Sequence, residues 1–173
     1  MVKRYRLIFS VFLIVLIFVC LTGCSITNNH SPAAVARKQA NTILKCIQEN
    51  DADTLKSLFT PDIQKKPELD KQIRSFLNFI DGEIVSYSEP FGERGGGEVR
   101  DGETVYQELY GSISNIQTDI GKNYRIDHSA IFINKNNPDN LGVYYMRIQD
   151  VDLIESDGGN PADREISIYY PSD

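Results

Sequence analysis

The chain changes its hydrophobic period once, near residue 83. Before that point the apolar positions are helical. Ala36, Ala40, Ile43, Leu44 and Ile47 recur at three- and four-residue steps and make one apolar face about four turns long. Ser31 before Pro32 fits an N-cap with proline at the first helical position, and Asn50-Asp51 ends the segment. Residues 51–59 read as a second, short helix with Leu55, Leu58 and Phe59 inward, closed by Thr60-Pro61. Pro67-Glu68 opens a third, whose stripe is Leu69, Ile73, Phe76, Leu77 and Ile80, and Asp81-Gly82 stops it. After residue 83 the pattern becomes that of strands. Residues 84–88, 106–118, 123–134, 141–151 and 166–170 are the β candidates, the last of edge type. Turn chemistry separates them at 119–122, 136–140 and 156–161. Residues 89–103 hold five glycines in fifteen positions and read as a loop or an irregular hairpin. Helices first and antiparallel strands after predict an α+β domain.

The N-terminus has a different character. Lys3, Arg4 and Arg6 precede an apolar run at 7–21. At about 15 residues the run falls short of the roughly 20 that span a bilayer comfortably, although an uncleaved N-terminal anchor is the alternative to an export signal. Leu21-Thr22-Gly23-Cys24 resembles the lipobox of bacterial lipoproteins. That resemblance implies diacylglycerol on Cys24, palmitate-type acylation, and cleavage before Cys24. The chain then divides into a signal peptide (1–23), a lipidated cysteine with its tether (24–32) and one domain (33–173). Two acyl chains anchor stably where one is marginal. The location implied is the extracytoplasmic face of the cell membrane, and the membrane itself is the first partner.

Charge and cysteine usage fit this division. The whole chain carries 18 basic and 24 acidic residues, a net −6. Without residues 1–23 it would carry 15 basic and 24 acidic residues, a net −9. This acidity argues against a non-specific nucleic-acid or anionic-membrane surface, since both need a positive face, and leaves room only for a local basic patch. Cys20 would leave with the signal and Cys24 would be acylated, so Cys46 alone remains and no internal disulfide can form. Cys46 reads as a small half-buried hydrophobe.

Three short helices, the Asn50-Asp51-Ala52-Asp53 break before Leu55-Lys56-Ser57-Leu58-Phe59, and then an antiparallel meander are together similar to the NTF2-like (cystatin-like) superfamily. More narrowly, the chain resembles uncharacterised extracytoplasmic lipoproteins of Gram-positive bacteria. The resemblance covers about residues 33–155 and rests on element order. It implies a cone: a strongly bent sheet wrapped around the helices, often with an apolar pocket at its wide end.

Candidate chemistry centres on His128. Alternation places it on the more apolar face of its strand with Tyr124, Ile126, Ala130 and Phe132, while Arg125, Asp127 and Ser129 take the other face. In a cone it can serve as a general base, with a carboxylate such as Asp150 or Asp152 orienting it, since Asp127 points the opposite way. The bland reading is a hydrogen-bonded core histidine. Tyr87, Tyr106, Tyr110, Tyr124, Tyr144 and Tyr145 enrich the second half in a residue that suits a pocket wall, a protein interface or ordinary sheet packing. Arg125 and Arg147 are expected to pair with strand carboxylates. The Asp150, Asp152, Glu155 and Asp157 run reads as a solvated surface, with weak calcium contact as its alternative. No zinc, redox, nucleophile-elbow or calcium-loop motif occurs, and no metal or cofactor is expected. The leading expectation is non-enzymatic binding of a small amphipathic ligand or an envelope protein. The alternatives are an acid/base enzyme using His128, and a structural or homodimeric envelope protein.

Overall fold

The computed structural model describes residues 31–156 and 161–169. Leu21, Thr22, Gly23 and Cys24 of the lipobox, His30 and Asp157 lie outside the described residues. Helix α1 (Pro32–Glu49) begins as the sequence predicts. The Ser31 hydroxyl accepts from the Ala34 amide at 3.3 Å, Pro32 takes the first turn, and Asn50 ends the helix in the left-handed region at φ 53°. Asp51 caps α2 (Ala52–Ser57) by accepting from the Thr54 amide at 3.0 Å. Thr60-Pro61 does more than close α2. Pro61 starts a further turn, α3 (Pro61–Gln64), before α4 (Leu69–Leu77). Proline at a first helical position needs no partner for the hydrogen it lacks, so the same residue can end one helix and open the next.

The strands are β1 (Ile84–Ser86), β2 (Phe91–Arg100), β3 (Glu103–Thr118), β4 (Asn123–Asn134), β5 (Gly142–Asp150) and β6 (Glu165–Tyr169). Two short helices, α5 (Val151–Glu155) and α6 (Pro161–Arg164), stand between β5 and β6. All six strands form one antiparallel sheet in the order β1–β3–β4–β5–β6, and β2 pairs with the first half of β3. The glycine-rich segment at 89–103 is thus largely strand. Arg100 pairs with Glu103 across a two-residue turn in which Asp101 (φ 51°) and Gly102 (φ 81°) are both left-handed, the turn that suits twisted strands.

The helices cover one face of the sheet. Ile43, Leu44, Leu55, Phe59, Ile73 and Phe76 meet Leu109, Ile113, Ile116, Ile126, Met146 and Ile148 in one core. Two glycines set how closely α1 approaches. Gly92 and Gly111 are cross-strand partners. A Cβ at Gly92 would collide with the Ala33 carbonyl and stand 2.7 Å from the Arg37 amide, and one at Gly111 would lie 2.9 Å from the Ala36 carbonyl. The helix backbone therefore rests directly on bare strand backbone.

The expected cone is not formed. The sheet is open and not strongly curled, and its β1/β2 and β6 edges do not pair. The volume that a cone would leave between helices and sheet is occupied by core side chains. The NTF2-like, cystatin-like assignment is therefore corrected to an α+β layer of N-terminal helices on an open six-stranded sheet.

Candidate functional site

Adjacent residues of β4 fall on opposite faces of the sheet, and His128 and Asp127 have opposite surroundings. His128 is fully buried beneath α1. Its Nε2 lies 3.3 Å from Gln39 Oε1, and its Nδ1 has no hydrogen-bond partner among the described residues. Burial pushes the imidazole down to about 4, against the opposing pull of the Asp127 charge. The orienting carboxylate expected for an acid/base role is not Asp150 or Asp152. Asp150 caps α5 through the Leu153 amide and lies 3.6 Å from Lys122, and Asp152 accepts from the Asn123 amide. Tyr124 is likewise a core residue, its hydroxyl accepting from the Asp81 amide at 3.1 Å.

Asp127 points to the face without helices, yet it is only 1% exposed because other side chains close over it. Its Oδ1 accepts from Tyr110 Oη at 2.6 Å and Arg125 Nε at 2.9 Å, and its Oδ2 accepts from Arg147 Nη2 at 2.9 Å. Arg125 Nη2 also donates to Tyr110 Oη, and Arg147 Nη1 lies 3.7 Å from Glu165. Burial and the Asp127 hydrogen bond both raise Tyr110, so its hydroxyl stays a donor at neutral pH. Hydrogen bonding to Asp127 raises Arg125; for Arg147, burial pulls down but the Asp127 bond and its neighbours outweigh it. One buried carboxylate thus gathers two guanidiniums and a phenol from three strands, as expected of Arg125 and Arg147.

Further tyrosines surround this cluster. Tyr145 and Tyr169 are cross-strand partners with rings 6.0 Å apart, edge to face. Tyr106 Oη donates to Glu108 at 2.7 Å. Tyr144 is half-buried, and burial together with the Glu108 charge pushes it up to about 12. Of the tyrosines expected at a site, Tyr110, Tyr144 and Tyr145 come together here, Tyr124 is separated into the core, and Tyr87 is exposed on the β1–β2 connection. Sequence reasoning missed Gln39 and Tyr169. Gln39 stands out only as a polar residue bordering the apolar face of α1. Tyr169 is found by carrying the alternation of β6 on from the buried Ile168.

Cys46 is buried, and burial with the Asp51 charge pushes its thiol up to about 11, as a packing role requires. Among the described residues no group of three His, Cys, Asp or Glu side chains could hold a metal, and no helix is long and apolar enough to cross a membrane. A family model for a domain of unknown function, DUF5104, matches residues 42–155, from the middle of α1 to the end of α5. Comparison with curated proteins gives no match.

Proposed function

The chain belongs to the DUF5104 family, whose function is unknown, and from that premise we propose a lipid-anchored protein of the cell envelope that binds a protein partner on its open sheet face. The observation that carries this reading is the Tyr110, Tyr145 and Tyr169 surface built around the Asp127, Arg125 and Arg147 cluster. Tyrosine and arginine are the side chains most enriched where proteins meet, because each joins large contact area to directional donors. The internal cluster also fixes these side chains before a partner arrives, which lowers the entropy lost on binding. A broad face suits a protein better than a small amphipathic ligand, which needs a concavity. An acid/base reaction would need a substrate to reach His128, which is fully buried under α1. The anchor is the acyl group on Cys24 implied by Leu21-Thr22-Gly23-Cys24.

The reading is tested by placing a photo-crosslinking residue at position 169 or at position 87 in living cells. A discrete protein adduct at 169, absent at 87 and lost on Tyr145→Ala, is the expected result. Equal adducts at both positions, or none at 169, would overturn it.

A further inference from the structure

The anchored end of the domain and its exposed charge lie on one helix. Ser31, the cap of α1, stands seven residues after Cys24, a span of at most about 25 Å even if fully extended. The exposed face of α1 carries Arg37, Lys38 and Lys45 around a shallow depression of about 420 Å³, shared with Ala34, Asn41 and Thr42. Of these three, only Lys45 forms an ion pair among the described residues, with Glu49 at 3.7 Å, and both are mostly exposed. Arg37 and Lys38 make no ion pair among the described residues, and the first turn of α1 holds no acidic side chain. The positive end of the helix dipole adds to this face. Such a face stands out in a chain with 24 acidic residues.

We propose that the exposed face of α1 rests on an anionic lipid surface and turns the tyrosine-rich sheet face away from the membrane. This rests on the anchor at Cys24 proposed above. Each half of the geometry supports the other. The tether delivers α1 to within reach of the headgroups, and unpaired basic side chains within a Debye length of an anionic surface are attracted to it. Because α1 packs on one face of the sheet through Gly92 and Gly111, the Asp127 cluster lies on the opposite face. Docking on α1 therefore leaves that face open to the envelope space. Three charges alone would bind weakly, but the lipid anchor holds them at the surface, so they set orientation rather than affinity.

The test uses the mature, lipidated full chain in vesicles, with a fluorophore on Asn41→Cys or, separately, on Ser167→Cys. Buried Cys46, its thiol at about 11, does not compete for the label. With about 30 mol % phosphatidylglycerol in phosphatidylcholine, acrylamide quenching at position 41 should fall about threefold relative to pure phosphatidylcholine. About 0.5 M salt should restore it. So should the combined Arg37→Gln, Lys38→Gln, Lys45→Gln variant, while quenching at 167 stays unchanged throughout. Equal quenching at 41 on both vesicles, or shielding at 167, overturns the orientation alone. Protein that fails to float with the vesicles overturns the anchor and the orientation together.

Discussion

His128 and Asp127 are neighbours in β4, and each is buried for a different reason. His128 lies in the core as a neutral ring, so its charged form is the one the fold disfavours. Its folded pKa of about 4 lies below the ordinary 6.5, and the unfolded chain therefore takes up the proton first. Its contribution to stability should be constant above about pH 6.5 and fall by up to about 3 kcal/mol as the pH drops to 4. Urea denaturation between pH 4 and 7.5 measures this, and His128→Asn should flatten that part of the profile whatever its own cost. Asp127 is hydrogen-bonded by Tyr110, Arg125 and Arg147, and the roles are asymmetric. Arg125 and Arg147 are partly exposed and can turn to water, but the carboxylate cannot. Replacing both arginines with alanine should therefore cost about 3–5 kcal/mol, and Asp127→Asn clearly less. An equal cost for the two changes would mean that the carboxylate is not the confined member of the cluster.

At the scale of elements, glycines decide how helix and sheet meet. At Gly111 a new Cβ would collide with His128 Cε1 and crowd the Ala36 carbonyl, whereas at Gly102 it would meet nothing within 4 Å and strain only the turn at φ 81°. Gly111→Ala should cost about 3 kcal/mol and Gly102→Ala about 1 kcal/mol, read from thermal or urea unfolding. The same residues show why β2 was hard to read in the sequence. Gly95, Gly96 and Gly97 look like a flexible turn, but β2 shifts register between Arg94 and Gly97 and continues as a strand. The hairpin turn falls instead at Asp101-Gly102, which the sequence reading did not single out. Most other elements follow directly from periodicity and caps, with β4 and the α1 start as the clearest cases. A bulge between Ser129 and Ala130 turns Val143 inward, where its amide and carbonyl bond Leu58 and Thr60. Simple alternation along β5 cannot show that contact, because it depends on the α2–α3 connection.

Across the whole molecule, element order made the α+β class legible but not the shape of the sheet. Here Gly92 and Gly111 let α1 settle onto the sheet and the core fills the space between them. The candidate site was legible in its parts, Tyr110, Tyr145, Arg125 and Arg147, because alternation assigns each a face. Their convergence on Asp127 was not, since cross-strand register is set by tertiary pairing. The account therefore stands or falls on whether the open sheet face is covered where the protein works. The most direct measurement is labelling of Ser167→Cys and Lys71→Cys with a membrane-impermeant maleimide, on intact cells and on the isolated protein. Position 71 should react in both settings, which reports an extracytoplasmic domain. Position 167 should react freely on the isolated protein and at least about tenfold more slowly on cells, where a partner covers it. Equal reactivity of position 167 in the two settings would contradict the account.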